Sequence, residues 1–506
     1  MTYQSIQLPA GIERNATPYD TPGQWWDMNL VRWQAGTLRP VGGWQRATDT
    51  PLDTIPRHIS MWRDNNNSRR VLIGTDAKLY SDNGSDFVDV TPSAFVPLTD
   101  LGTAGGYGTM SYGTQAYGTA RTGFTNVFAP VPFWSVANWG QDAVLTANSD
   151  GRLFYFNSSN TSTAPTVITD GLTPTKVPSG NTSVTVTDER HVMAIGCGGN
   201  QRRVGWSSKE STTDWDFSST TNTAGYLDLD CRTPLTRGIK VREGTLILSL
   251  SEAYLARYVG EPYIYGIDRI ADTTLLCPTA VAAYNGKAAW MGRNGFWRYE
   301  GGFLTPLDCP VANDVFSNID FTYGPRRSHA VHNGTFPEIW FFYPSVGQTE
   351  CDRYVAWNYS ENFWFWGALS RTAAVSGETY PHPFMGGTDK NIYEHETGWT
   401  AAGASRIGQI YAETGMLPLT NGDRGVVVTN ILPANGNGYS SLQIRFYSRQ
   451  TPEGSEKSWG PYNPRSNGYT DTRISARDLR MRIEATADTD WSIGKLRFDV
   501  KPGAGR

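Results

Sequence analysis

The chain has 506 residues, of which 39% are hydrophobic, 12% aromatic and only 18% charged, with 53 glycines, 29 prolines and a formal net charge of −4. Such a length exceeds one hydrophobic core of ordinary size and calls for several domains or one repeat architecture. Weak acidity excludes a strongly basic protein that grips nucleic acid through its phosphates, and no long A/E/K/L/R-rich pattern of period 3.6 occurs, so the composition predicts an all-β chain of many short strands.

The first twenty residues, MTYQSIQLPAGIERNATPYD, lack a basic region followed by an apolar one, and no run of 18 apolar residues occurs anywhere. A soluble protein made in a cytoplasm, with no membrane span, is expected. Five widely spaced cysteines, Cys197, Cys231, Cys277, Cys309 and Cys351, signal neither a disulfide framework nor a zinc cluster and are expected to be reduced thiols.

Next comes a segment, Gly23 to Gln45, with four tryptophans among polar and turn-forming neighbours. Tryptophan beside arginine is enriched where surfaces meet. Trp25, Trp26, Arg32, Trp33, Arg39 and Trp44 are therefore candidates for a subunit interface, the alternative being packing beneath the following domain. Residues 1–68 are expected to form one such N-terminal segment, lying on the next domain or at a subunit contact.

From about residue 69 to 403 a unit recurs: a short apolar strand, a Gly- or Asn-containing turn, and a strand ending in an aromatic. Copies run Arg69 to Pro92, Asp142 to Asn157, Arg190 to Ser208, Gly244 to Gly260, Gly286 to Asp308, Pro337 to Gly367 and Pro383 to Gly398. Asp150-Gly151 and Asn294-Gly295 are expected to supply positive-φ turn residues. A single hairpin cannot bury its apolar face, whereas sheets packed around an axis can, so a β-propeller of six to eight blades, seven favoured, is predicted. Stacked sandwiches without closure are the alternative.

One insertion differs from its surroundings. Between residues 101 and 123 the triplet Y-G-T recurs at Tyr107, Tyr112 and Tyr117. Glycine and threonine cannot build a core there, so the tyrosines are candidates for a subunit-interface or channel loop, against a plain surface excursion.

Residues 404–506 change character and are expected to form a β-rich domain, a sandwich or barrel. Alternation buries Leu442, Ile444 and Phe446, then Leu479, Met481 and Ile483, then Leu496, Phe498 and Val500. The opposite positions are basic: Arg445, Arg449, Arg480, Arg482, Lys495, Arg497 and Lys501. They are candidates for a basic sheet face that docks an acidic partner or lines a nucleic-acid channel, against a merely solvated face.

Signals for chemistry are weak. The six histidines include no H-E-x-x-H, and neither G-x-S-x-G nor G-x-x-x-x-G-K-[ST] occurs. Paired carboxylates such as Glu394 and Glu396, or Asp214 and Asp216, are common by chance. No enzyme activity, metal or cofactor is expected.

Three stretches carry a resemblance. Ile6 to Gln45 resembles the N-termini of structural tail proteins of tailed bacteriophages; VGWSSKESTTDWDF, Val204 to Phe217, is similar to a W-S…D-W blade signature of the packaged-DNA stabilisation, or tail nozzle, proteins of short-tailed phages; and Thr489 to Arg506 is similar to endings in that group. The resemblance implies a propeller protein of the virion tail, assembled in the bacterial host cytoplasm as a homo-hexameric ring. That ring sits below the portal and tail adaptor protein, contacts tail needle or fibre proteins, and closes a channel through which double-stranded DNA passes without sequence-specific binding. The chain is shorter than nozzle proteins with inserted domains and shows no fibre-docking module. Two other readings stay open: a carbohydrate- or receptor-binding tail protein, whose tryptophans stack on sugars, and a propeller glycosidase.

Overall fold

The structure is a computed structural model and describes residues 3–14, 17–98, 131–376, 380–419, 425–433, 439–451, 454–465 and 467–502. Seven four-stranded antiparallel sheets follow one another along the chain. Their first strands are Pro56–Arg63, Trp134–Trp139, Ser183–Val186, Leu235–Val241, Val281–Tyr284, His329–Asn333 and Ala373–Val375. Each of these neighbours the next, and the seventh returns to the first, so the sheets are the blades of a closed seven-bladed β-propeller.

The apolar runs are continuous because each blade packs on both faces. In blade two, Val144 joins Leu153, Val184 and Val192 on the blade-three side, while Leu145 joins Trp62, Leu72 and Phe154 on the blade-one side. Blade four divides likewise, with Leu246 packed toward blade five and Ile247 toward blade three. A strand that alternates between two cores needs no polar face, which is why VLIG, LILS and IWFFY read without alternation.

Each of the seven units expected from the sequence falls in a different blade, mostly as its second and third strands. The boundary expected at residue 69 lies inside blade one, whose first strand begins at Pro56. Gly151 has φ of +72°, but Asn294 and Gly295 are not at positive φ; that turn is closed by Gly292 N–H donating to the Gly295 carbonyl at 2.8 Å.

The outermost strand of blade seven is not its own. Trp44–Arg46 pairs with Ile392–His395, so the N-terminal part of the chain closes the ring. Residues 1–68 are therefore not one layer beneath the propeller. Tyr3–Ile6 joins Leu496–Pro502, Val426–Pro433 and Thr470–Ala476 in one sheet, and Trp25–Asn29 joins Tyr411–Thr414, Asp478–Ala485, Leu442–Arg449 and Lys457–Tyr462 in another. These two sheets form a β-sandwich. Its core holds Leu442, Ile444, Phe446, Leu479, Met481, Ile483, Leu496 and Phe498, with Val500 half-buried. The same cluster runs on without a break through Trp25 and Trp33 into blades five and six, through Phe296, Trp340 and Trp364. The sandwich and the propeller share one core.

Candidate functional site

The N-terminal segment builds the joint between the two domains. A short hairpin, Val31–Gln34 and Thr37–Pro40, is tied to the sandwich by reciprocal backbone bonds between Leu38 and Ile493, of 2.8 and 3.0 Å. Trp33 sets its edge against Trp25, 6.1 Å between centroids, and against Phe363 of blade six, 5.5 Å. Trp25, Trp33 and Trp44 are buried. These three, candidates for a subunit interface with packing beneath the following domain as the alternative, are interior, because the segment's apolar rings face two domains of the same chain.

Arg32 is interior as well, with 2% of its surface exposed. Its Nε lies 3.1 Å from Glu338 and its Nη2 2.6 Å from Glu396, while the guanidinium sits 3.9 Å from the centre of the Phe336 ring. Glu338 also accepts the Trp340 indole N–H at 2.9 Å, and Glu396 accepts the Gly42 backbone N–H at 3.1 Å. Burial, reinforced by neighbouring Glu396 and opposed by Arg32, pushes the Glu338 carboxyl up to about 7. An Arg between two buried carboxylates is a structural clamp whose value depends on all three members.

Arg406 completes the joint, and nothing in the sequence marked it. It is fully buried and donates to three carbonyls, those of Val41 at 2.9 Å, Gly42 at 3.0 Å and Trp399 at 2.8 Å. A lone arginine at a domain boundary has no periodicity to betray it, and its targets are backbone atoms. Beside the joint lies a cleft of about 310 Å³ lined by Arg32, Arg39, Phe336, His382, Glu396 and Trp399. Of the two remaining candidates, Arg39 is partly exposed, 3.7 Å from Asp490, and Trp26 is half-buried under the Arg14 guanidinium, 4.2 Å away.

The basic positions do not form one face. Arg445, Arg449, Arg480 and Arg482 lie on one sheet of the sandwich, whereas Lys495, Arg497 and Lys501 belong to the other or its edge. The first group is also largely neutralised: Arg449 pairs with Asp478, Arg480 with Glu413 and Glu456, and Arg482 with Glu413 and Glu484. Arg445 faces Arg482 in register. Lys495, Arg497 and Lys501 are exposed. The acids that neutralise the first group include Glu413, on the neighbouring strand of the sheet, which the alternation of a single strand does not reveal. Tyr107, Tyr112 and Tyr117 lie outside the described residues.

One group of exposed apolar residues lies on blades four and five. Blade four ends in a long hairpin, Glu252–Gly260 and Ile264–Asp272, whose tip presents Val259 and Tyr263, 58% and 78% exposed. Phe303, 75% exposed, begins the outer strand of blade five, which neighbours the outer strand of that hairpin. The stretch YVGEPYIYG, Tyr258 to Gly266, carries a sequence signal for it: aromatic residues packed around a Gly/Pro turn.

The molecule is thus a seven-bladed β-propeller fused through its N-terminal segment to a β-sandwich. Neither a family model nor a curated protein matches the chain. Among solved structures it is similar to the WD40 domain of Neurospora crassa Pan2, at 8% identity over 72% of this chain and 96% of that one, with a TM-score of 0.40. Among the described residues no cluster of three or more His, Cys, Asp and Glu could hold a metal ion, and no helix is long and apolar enough to cross a membrane. All five cysteines are buried and unpaired.

Proposed function

We propose that the protein is a structural subunit of a short-tailed phage tail, a non-catalytic nozzle component that assembles with five copies of itself below the portal and adaptor and retains the packaged genome. The observation that carries this reading is where the resembling stretches meet. Ile6 to Gln45 and Thr489 to Arg506 come from opposite ends of the chain, yet Leu38 and Ile493 bind each other within the joint. The two resembling stretches are thus parts of one built unit, which supports reading them together. In the third stretch, Trp206 and Trp215 are buried in blade three, each donating its indole N–H to a carbonyl, of Thr223 and Thr212 at 2.9 Å.

Two further features support it. A core continuous from sandwich to propeller makes the subunit suited to bear load, and the exposed Val259, Tyr263 and Phe303 offer apolar contact to a neighbouring copy. The carbohydrate-binding reading is less favoured, since every tryptophan is buried or half-buried and none stands free as a sugar-stacking platform. Quantitative mass spectrometry of purified phage particles tests the proposal: about six copies per portal ring are expected, and absence from the particle would overturn it.

A further inference from the structure

The first strands of the seven blades run side by side around the propeller axis, so residues near their beginnings gather at one end of the central channel. There Arg57 and His58 of blade one, Arg237 of blade four and His329 of blade six line a cavity of about 250 Å³.

Among the described residues the charges in this region do not balance. Arg57 is held by Glu350 at 2.6 and 2.8 Å and by Asp76 at 3.1 Å, and Arg327 lies 3.8 to 3.9 Å from the same two carboxylates. Among the described residues these two cations face two anions. Arg237 is left over. Its Nη1 donates to the Pro278 carbonyl at 3.1 Å, and no carboxylate among the described residues pairs with it. Burial lowers its pKa from the ordinary value, the mark of a cation with no anion beside it. Two ring nitrogens share the predicament: Nε2 of His58 and Nε2 of His329 are buried without hydrogen-bond partners.

A half-buried cation without a paired carboxylate and two orphaned ring nitrogens each cost free energy, and one bound anion in this cavity relieves all three. We propose that the axial cavity binds a small oxyanion of the inorganic phosphate class, with Arg237 as its counter-charge and the imidazoles of His58 and His329 as further N–H donors. Nδ1 of His329 lies 3.3 Å from the Arg327 carbonyl, so Nε2 becomes a donor in the protonated ring that an adjacent anion favours. Since one water takes about 30 Å³ of the liquid, the cavity accommodates a tetrahedral anion with part of its hydration shell. The inference stands apart from the proposed tail role.

Calorimetric titration of the full chain with inorganic phosphate, against chloride at matched ionic strength, tests it. Saturable one-site binding is expected, weakened at least about tenfold by Arg237→Gln, partly retained by Arg237→Lys, and unchanged by Lys240→Gln, an exposed cation on the same strand. A readout on the unaltered protein guards against misfolded variants: in spectra of isotope-labelled histidine, the ring signals of His58 and His329 move with added phosphate while those of His191 stay. Absence of saturable binding, binding undiminished in Arg237→Gln, or unmoved His58 and His329 signals would overturn the proposal.

Discussion

Trp44 and His395 face each other across the last ladder of the seventh blade, their rings stacked 5.3 Å apart with 24° between their planes. Two buried guanidinium groups, of Arg371 and Arg406, lie 4.9 and 5.4 Å from the same indole. The contact that closes the propeller is thus also the contact on which the joint rests.

Trp44→Ala is expected to destabilise the protein by about 3–5 kcal/mol, as for other large-to-small changes in a core, and Trp44→Phe by less. Trp33→Ala behaves the same way, whereas Trp26→Ala, at a half-buried site, costs less. Urea unfolding followed by tryptophan fluorescence measures the order; equal losses at Trp26 and Trp33 would contradict it.

Removing Arg32 leaves Glu338 and Glu396 buried without their counter-charge. Arg32→Met should cost about 3–5 kcal/mol where both are ionised. Glu338 titrates near 7, above its ordinary 4.5, so the folded state keeps a proton that the unfolded chain releases between those values. Its contribution to stability therefore falls as pH rises through that window. The deficit of Arg32→Met should be larger at pH 8 than at pH 5, and a second change, Glu338→Gln, should narrow that gap.

Acid acts on the histidines in the opposite sense. Burial, with the nearby Arg57 guanidinium adding to it, depresses His329 to about 4, and burial likewise takes His58 to about 3. A depressed histidine stabilises fully above its ordinary pKa near 6.5 and loses that contribution as pH falls toward the folded value. From pH 6.5 to 5 the buried His329 alone accounts for about 2 kcal/mol. In phosphate-free buffer, His329→Leu should lose correspondingly less stability between pH 7 and pH 5 than the unaltered chain.

Gly74 lies against Trp134 of the next blade: a Cβ there would fall 2.3 Å from the indole Cδ1. Gly74→Ala is expected to cost about 1–3 kcal/mol by overpacking. Combined with Trp134→Leu it should cost less than the sum of the two single changes, and strict additivity in a double-mutant cycle would show that the clash is relieved by other means.

At the surface, Tyr263→Ser and Phe303→Ser should leave the unfolding midpoint within about 0.5 kcal/mol of the original while weakening self-association in sedimentation measurements. Unaltered assembly would place the subunit contact on another face.

How much of this was legible beforehand follows from what each signal depends on. The hairpins of all seven blades showed through, because paired apolar runs around a turn are a local pattern. Their innermost strands did not: Ala373–Val375 is too short and small to stand out, while Pro56–Arg63 mixes arginine, histidine and serine with its apolar residues. The sandwich core showed through alternation, as at Leu442, Ile444 and Phe446. Long-range partnership did not: nothing near Trp44 announces His395, and nothing near Arg406 announces the carbonyls of Val41 and Gly42. The tryptophan-rich segment sets large rings among polar neighbours, and composition alone is the same for an interface between subunits and for one inside a chain.

The closing strand also sets a timetable. On a ribosome Trp44–Arg46 emerges early, yet its partner Ile392–His395 follows only after six blades and most of a seventh have been made. At synthesis rates of about 5–20 residues per second the wait is on the order of tens of seconds. For most of that time Trp25, Trp33 and Trp44 lack their native long-range neighbours, and the nascent chain carries their apolar surface uncovered until its last domain returns to collect its first residues.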